Sequence, residues 1–313
     1  MDCIILAFKV VFPVLVYVSI GYGLKLGKFY DKNGIDTVNS LVFKLFLPCL
    51  LFYNIYTTDL DKILDTKLIV YSLSLIMILF VILMIFVPIF IKENPKRGVF
   101  IQGVFRSNFV LFGMPVTISL LGEGNCGLTS FAIAFVVPLY NILAVVCLET
   151  FRRNKVKVSN ILLGIVKNPL IIASALGMCF LAAKIQLPDF LENIIRDLSR
   201  VATPLALIGL GGSFTFSSVK QNLKPLIWIL TLKLVAAPVA AIGISAYIFN
   251  FRGAAIITLI SMFASPTAVS SFTMAQSMGG DEELAAQTVV FTPVFSIITV
   301  FIIVASTKYL GLY

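Results

Sequence analysis

Long apolar runs alternate with short polar connections along the whole chain. A helix needs about 20 consecutive apolar residues to cross the hydrocarbon core of a bilayer. Ten runs meet this length, at about residues 4 to 26, 34 to 56, 67 to 91, 98 to 121, 126 to 150, 161 to 184, 191 to 216, 221 to 249, 252 to 278 and 284 to 307. The pattern predicts an all-α integral membrane protein with ten transmembrane helices. No small-residue cleavage pattern follows the first run, so we expect a retained span and not a signal peptide.

Composition agrees with this prediction. The 313 residues are 59% hydrophobic and only 12% charged, with a mean hydropathy of +1.02, too little polar surface for a soluble globular protein. The five cysteines are scattered and form no CxxC pair, so they are interpreted as packing residues. We expect no metal and no cofactor.

The two halves of the chain repeat one another. Three landmarks recur in the same order: Pro13 and Pro48 match Pro169 and Pro204, each pair 35 residues apart, and Arg97-Gly98 returns as Arg252-Gly253. Residues 1–158 and 159–313 then hold five runs each. Because five is odd, the second repeat enters the membrane from the opposite side. Inverted repeats of this kind are typical of secondary transporters.

The basic residues predict the orientation in the membrane. Lys and Arg concentrate in the odd-numbered connections, at Lys25, Lys28, Lys32, Lys92, Lys96, Arg97, Arg152, Arg153, Lys155, Lys157, Lys220 and Lys224. The positive-inside rule places these connections in the cytoplasm and both termini outside, in the inner or plasma membrane of the cell. The net charge of +9 is mostly this bias. It favours contact with anionic lipid, and the cluster near Arg152 is interpreted as a topology signal and not as a nucleic-acid site.

Two runs carry polar residues and proline near the middle of the membrane. The fourth contains Arg106, Asn108, Gly113 and Pro115, and the ninth contains Ser265, Pro266, Thr267, Ser270 and Ser271. Proline removes a helical donor, so carbonyl groups near each break lose a partner. Irregular backbone at this depth is tolerated where it is buried or lines a wet cavity. Two broken helices would offer half-helix N-termini to an anion and free carbonyls to a cation; the alternative is that these prolines only kink the spans.

The ionisable residues near the middle of the runs all have the same sign. Lys44, Arg106 and Lys233 fall near mid-span, no Asp or Glu does, and the chain has no His. Such residues are costly in a membrane and are usually functional. They predict a cavity of positive potential and an anionic substrate, and argue against a carboxylate-based antiporter. The alternative is that the lysines snorkel to an interface or pair with Glu149 or Asp36.

The spacing of Asn108, Gly113 and Pro115 resembles the auxin efflux carrier family. Pro266, followed by Gly279-Gly280 and then Thr292-Pro293 in the last span, completes the resemblance, which covers essentially the whole chain. The chain lacks the long central hydrophilic loop of the plant members and is similar to the short bacterial kind.

That resemblance implies a fold and a site. Spans one, two, six and seven would form a scaffold, and spans three to five and eight to ten a transport domain. Broken spans four and nine would cross beside the bound substrate carboxylate, with Asn108, Gly113, Pro115, Pro266 and Thr267 as the matching crossover residues. This chain has Ser107-Asn108 where plant members have Pro-Asn, and Pro266-Thr267 where Pro-Gln is expected. The bacterial members imply malate, malonate or a similar small carboxylate, and homodimers are common in the family.

The leading hypothesis is a carrier that works by alternating access. Asn108 and Thr267 would bind the carboxylate, and Arg106 or Lys233 would raise the local potential. In a sodium-coupled alternative, Ser265, Ser270 or Ser271 would hold a cation with the freed carbonyls. An intramembrane enzyme is disfavoured, since the chain has neither His nor a nucleophile paired with a base. A channel is disfavoured because two broken helices meeting at the midplane would occlude a pore.

Overall fold

Helices account for all the regular structure that the computed structural model describes, in residues 2–58, 65–152, 164 and 166–313. The helices of the first half are α1 Asp2–Leu26, α2 Lys32–Leu41, α3 Leu47–Tyr56, α4 Thr66–Phe90, α5 Asn94–Phe105, α6 Met114–Leu121 and α7 Gly127–Thr150. Those of the second are α8 Pro169–Ala182, α9 Asp189–Ser213, α10 Val219–Thr231, α11 Ala237–Tyr247, α12 Ala254–Phe263, α13 Ser270–Ser277 and α14 Glu282–Tyr309. Three predicted features lie outside the described residues. They are the boundary between the halves, the basic residues Arg153, Lys155 and Lys157, and most of residues 161–165.

Among the described residues, five helical stretches are long and apolar enough to cross a membrane. They are Asn33–Tyr56, Thr66–Phe90, Gly127–Thr150, Val219–Tyr247 and Glu282–Tyr309. Shorter apolar helices cover Val11–Leu26, Phe109–Leu121, Pro169–Ala182 and Ala254–Phe263. The described chain is therefore all-helical, with several segments of transmembrane type, as composition predicted.

Three π-helical turns absorb prolines inside these helices. Val42–Phe46 precedes Pro48, Phe109–Gly113 precedes Pro115, and Leu232–Ala236 precedes Pro238. In each turn an N–H bonds to the carbonyl five residues earlier, as Leu47 does to Val42 and Met114 to Phe109. The extra residue gives the proline ring room without ending the helix. The prediction that Pro115 breaks its span is therefore wrong: the turn before it is widened, and the helix remains continuous through Pro115.

Helices α1 and α9 pack backbone against backbone through glycine. A Cβ atom on Gly21 would approach the Ile208 carbonyl carbon to 2.8 Å, and one on Gly211 would approach that of Val18 to 2.9 Å. Small residues allow such close packing between membrane helices. The glycines of α9 therefore serve helix packing.

Replacing Gly21 with alanine should lower the stability of the protein. The new methyl group overlaps the α9 backbone, which cannot rotate away, and overpacking of this kind costs about 1–3 kcal/mol. Gly23→Ala is the matched control, because a Cβ at Gly23 of the same helix meets nothing within 4 Å. Thermal unfolding in detergent should show a lower midpoint for Gly21→Ala alone; equal midpoints would contradict the close packing.

Candidate substrate site

The two polar interruptions meet and bond to one another. Helix α5 ends at Phe105 and residues 106–108 are not helical, while α12 ends at Phe263 and the chain is irregular until α13 begins. Ser107 and Thr267 form an isolated antiparallel bridge, and the Asn108 N–H donates to the Pro266 carbonyl at 2.7 Å. The interrupted segments of runs four and nine therefore form hydrogen bonds with each other's backbone N–H and C=O groups. In an apolar surrounding such groups need partners within the protein.

The first interruption lies earlier in the chain than proline alone would place it. Arg106 adopts an extended conformation, with φ −84° and ψ 121°, whereas Pro115 and Gly113 lie beyond the irregular segment. In the second half Pro266 lies within the irregular segment itself. Pro115 therefore lies after its break in the chain, whereas Pro266 lies within its break.

The two broken helices approach each other closely at Gly113. A Cβ atom there would stand 2.5 Å from the Ser261 carbonyl oxygen of α12 and 2.7 Å from Cδ2 of Phe109. Around this contact, hydroxyl groups join three helices: Thr117 lies 2.8 Å from Ser261, and Thr129 lies 2.7 Å from Thr258. Gly113 is therefore a packing residue of the crossing.

A small cleft opens beside the crossing. Its volume is about 70 Å³, and its lining comprises Leu47, Leu50, Leu51, Asn54, Arg106, Ser107, Asn108, Phe109, Val110, Leu111, Val137, Tyr140, Asn141, Thr203, Ala206, Ala268, Val269 and Ser270. Residues 109–111 begin one half-helix, and residues 268–270 lead into the other. The first N–H groups of a helix have no partner within it and carry partial positive charge. Two such ends line the same cleft, an arrangement that suits an anion.

Arg106 carries the fixed charge of the cleft. Its side chain is buried, with 3% of the residue exposed. One guanidinium nitrogen donates to Asn141 Oδ1 at 2.6 Å and to Ser270 Oγ at 2.8 Å, and the other contacts the sulfur of Met274. Within the described part of the chain no carboxylate forms an ion pair with it. The guanidinium is held by neutral groups and lacks a counter-ion among the described residues.

Asn108 and Asn141 each bring an uncommitted amide to the cleft. The Asn141 Nδ2 atom is buried and has no hydrogen-bond partner among the described residues. Asn108 is partly buried, and its side chain makes no capping hydrogen bond to the half-helix that it precedes. Both amides can therefore donate to a molecule in the cleft, beside the Arg106 guanidinium.

The two mid-span lysines have different surroundings. Lys233 is buried, with 1% of the residue exposed, and it donates to Ser107 Oγ. Lys44 is exposed. Glu149 lies near Arg152 at 3.5 Å, and Asp36 accepts a hydrogen bond from Gln276. The alternative that Lys233 pairs with Glu149 or Asp36 is therefore wrong.

The predicted site residues divide into two groups. Arg106, Asn108 and Ser270 line the cleft. Thr267 instead serves the crossing itself, since its hydroxyl donates to the Gly103 carbonyl and its N–H to the Thr292 hydroxyl. Ser265 donates to the Ser261 carbonyl, one turn earlier in the chain. Lys233 donates to Ser107, which lines the cleft, while Gly113, Pro115 and Pro266 shape the backbone.

The structure adds residues that the sequence did not single out for the site. Ser107, Asn54, Tyr140 and Thr203 line the cleft with Asn141. Ser107 is the middle residue of the interruption and accepts a hydrogen bond from Lys233. Its place between Arg106 and Asn108 was the signal that could have identified it.

Comparison with known proteins agrees with this architecture. A family model described as membrane transport protein matches residues 6–304. The chain belongs to the membrane transport protein family. The match confirms the resemblance on which the sequence analysis relied, and it makes the protein a multi-pass membrane transporter.

Two curated relatives extend over nearly the whole transporter. A Rhizobium meliloti (strain 1021) protein named "Putative malonate transporter" is 22% identical over 301 residues, which cover 93% of this chain and 92% of the relative. A Methanothermobacter thermautotrophicus protein named "Uncharacterized transporter" is 23% identical over 292 residues, covering 93% of this chain and 95% of the relative. Both names describe transporters, and neither similarity fixes the substrate of this one.

Proposed function

We propose that the protein is a secondary active transporter of a small organic anion, a carboxylate, and is not an enzyme. The substrate binds in the cleft beside the crossing, and alternating access exposes that cleft to the two sides of the membrane in turn. One observation carries the proposal: the buried Arg106 guanidinium lines the cleft and has only neutral partners among the described residues.

The electrostatics of the cleft favour an anion. Burying a cation costs several kcal/mol unless an opposite charge compensates it, and intramembrane charges are usually functional. A bound carboxylate would supply that opposite charge and accept from Arg106, Asn108 and Asn141 together. The two half-helix ends add partial positive charge in the same place. The free transporter holds a preorganised anion site, and the substrate completes it.

The size of the cleft favours a small substrate. A volume of about 70 Å³ accommodates on the order of five water molecules at about 10–15 Å³ each. A cleft of this volume favours a short mono- or dicarboxylate over a larger substrate that carries an indole ring. The name of the Rhizobium meliloti relative supports the same substrate class.

An inverted repeat would provide the two-sided access. Arg97 donates to the Ile91 carbonyl at 2.6 Å, and Arg252 donates to the Ala246 carbonyl at 2.7 Å. Each arginine thus binds the carbonyl six residues earlier, where the preceding helix ends, at equivalent places in the two halves. We infer ten spans in two inverted repeats of residues 1–158 and 159–313, with both termini outside the cell membrane. Spans one, two, six and seven would be the scaffold for a mobile transport domain.

Coupling to sodium is the second candidate. Buried Gln102 donates to the Ser271 carbonyl at 2.9 Å, while Gln102 Oε1 and Ser271 Oγ have no partner among the described residues. Oxygen atoms of this kind can coordinate a cation. Carboxylate uptake that is unchanged when potassium or choline replaces sodium would exclude sodium coupling and leave the anion site intact.

Asn108→Ala should abolish transport and leave the fold intact. The substitution removes a donor from the cleft but none of the described contacts of the crossing, because Asn108 holds Pro266 through its main chain. Purified protein in proteoliposomes on a solid-supported membrane should give saturable currents with small carboxylates and none with neutral analogues. Those currents should vanish in the variant.

A surface asparagine provides the matched control for this experiment. Asn193 is exposed on α9, far along the chain from either interruption, so Asn193→Ala should transport at the wild-type rate. Wild-type flux in Asn108→Ala would refute its assignment to the site. If the wild-type protein gives no carboxylate current, counterflow with labelled ligand tests electroneutral exchange.

A further inference from the structure

The cleft beside the crossing is lined by two sets of elements with different chemistry. Arg106 and Asn108 of the first interruption and Asn141 of α7 bring a charge and two amides to it. The rest of its polar and apolar surface includes a wall from α3 and α9, two helices that pack against each other. The side chains of that wall are Leu47, Leu50, Leu51, Asn54, Thr203 and Ala206. A carboxylate bound at the crossing therefore has the rest of its molecule beside the α3–α9 wall.

Most of the α3–α9 wall is apolar. Leu47, Leu50 and Leu51 are followed by Asn54 at intervals of three or four residues, which places all four on one face of α3. Leu47 and Leu51 are buried, and so is Ala206 of α9. A substrate group that contacts these side chains leaves water for an apolar surface, which favours methyl and methylene groups.

The two buried cations of the described chain both lie at the crossing. Arg106 begins the first interruption, and Lys233 reaches the same segment by donating to Ser107. Among the described residues that line the cleft, the polar side chains of the α3–α9 wall are Asn54 and Thr203, and both are neutral. One carboxylate beside Arg106 thus has a compensating charge, whereas a second carboxylate on the α3–α9 wall would have none.

An uncompensated second charge is the feature that this wall penalises most. Burying an ionised group without an opposite charge costs far more than burying a hydroxyl or an amide that finds a hydrogen bond. A neutral polar group can bond to Asn54 or Thr203, which are half-buried. Selectivity of this kind comes from an unpaired charge in the wrong ligand as much as from good contacts to the right one.

We propose that the substrate is a monocarboxylate whose remaining atoms carry no charge, and that the α3–α9 wall rejects dicarboxylates. The inference rests on the proposed function and narrows its substrate class. Arg106 and the two amides bind the carboxylate, and the leucines of α3 contact the short body. Each methylene group buried against this wall should tighten binding about 4-fold, until the volume of about 70 Å³ is filled.

Isosteric ligands test the inference on the unmodified protein. Malonate and its monoamide, malonamate, have nearly the same shape, but in mildly alkaline buffer malonate carries two charges and malonamate one. Dissociation constants can be measured from the rise in unfolding temperature with ligand concentration. Malonamate should bind at least about 10-fold more tightly than malonate, because the second charge of malonate is buried without a partner. Succinamate and succinate should differ in the same direction.

A cation added to the α3–α9 wall should reverse the selectivity. Asn54→Lys places an ammonium group where the second carboxylate would lie, so the affinity for malonate relative to malonamate should rise at least about 10-fold. Asn54→Met is the matched control, because methionine has a similar length without the charge, and it should keep the wild-type ratio. Comparing two ligands within one variant cancels any general effect of the substitution on the cleft.

The outcomes separate this inference from the proposed function. If none of these ligands binds and no carboxylate gives a current or counterflow, the proposed function is overturned. If carboxylates are transported but malonate binds within about 10-fold of malonamate, or more tightly, the monocarboxylate inference alone is overturned. A folded Asn54→Lys protein with an unchanged ratio would contradict the assignment of selectivity to the α3–α9 wall.

Discussion

Arg106→Gln is expected to reduce carboxylate transport by at least about 100-fold, measured as maximal current divided by the half-saturating concentration. The guanidinium is the charged donor of the cleft, and hydrogen bonds to charged groups contribute about 1.5–3 kcal/mol each. A carboxylate that loses two such bonds would lose about 3 kcal/mol or more, and every 1.4 kcal/mol is a factor of ten. Arg106→Lys keeps the charge without the planar pair of donors and should retain a small part of the activity.

Stability measurements distinguish loss of the site from loss of the fold. Arg106 is buried without a described carboxylate partner, so neutral Gln removes an uncompensated charge. The ligand-free Arg106→Gln protein should unfold at the wild-type temperature or above it, because groups kept for binding often lower the stability of the ligand-free protein. Added carboxylate should raise the unfolding temperature of wild type but not of the variant.

A surface arginine provides the control for Arg106→Gln. Arg200 is exposed on α9, 3.7 Å from the exposed carboxylate of Asp197, and exposed ion pairs contribute little. Arg200→Gln should transport within about 2-fold of wild type, a change of less than about 0.5 kcal/mol by the same conversion. Saturable wild-type currents in Arg106→Gln would show that the substrate binds elsewhere.

Gly113→Ala is expected to lower both stability and transport, because it disturbs the crossing of the broken helices. The added Cβ would overlap the Ser261 carbonyl oxygen and the Phe109 ring. Because the first of these atoms belongs to the backbone of α12, the two half-helices must separate. Overpacking costs about 1–3 kcal/mol, and a displacement of about 1 Å in a binding site can cost about 100-fold in rate. We expect the midpoint of thermal unfolding to fall by roughly 2–10 °C. Because the displacement should be smaller than 1 Å, we expect transport to fall by at least about 10-fold.

Gly243 provides the comparison for Gly113→Ala. A Cβ atom on Gly243, within α11, would meet nothing within 4 Å. Alanine is favoured over glycine inside a helix by about 0.5–1 kcal/mol, so Gly243→Ala should leave transport unchanged and stability equal or higher. If the two variants behaved alike, the contact at Gly113 would not hold the crossing together.

The predicted spans and interruptions illustrate what local sequence information can reveal. The apolar runs depend on residues next to one another in the chain, and the described helices follow them closely. The interruptions were also locatable, because Arg106 and Asn108 in one run and Ser265 and Pro266 in the other are costly in an uninterrupted apolar helix. The position of the first break, at residues 106–108 and not at Pro115, was not locatable in this way, since a π-helical turn accommodates that proline.

The individual site residues show the limit of such information. Lys44 and Lys233 are equivalent in sequence, since both are single lysines inside apolar runs, yet one is exposed and the other is buried against Ser107. Thr267 matches the family pattern, but its hydroxyl donates to Gly103 within the crossing. Asn141 lies on a different helix from the interruptions, and only folding brings it to Arg106.

The sequence by itself determined that this is an all-helical membrane protein with two polar interruptions and an excess of intramembrane positive charge. Those properties follow from composition and from the free energy of transferring short segments from water into the membrane. Both depend only on residues that are close together in the sequence. The tertiary structure decided which polar groups line the cleft and which hold the two interruptions together. Side-chain direction depends on how each helix is rotated against its neighbours, and that rotation is fixed by partners distant in sequence.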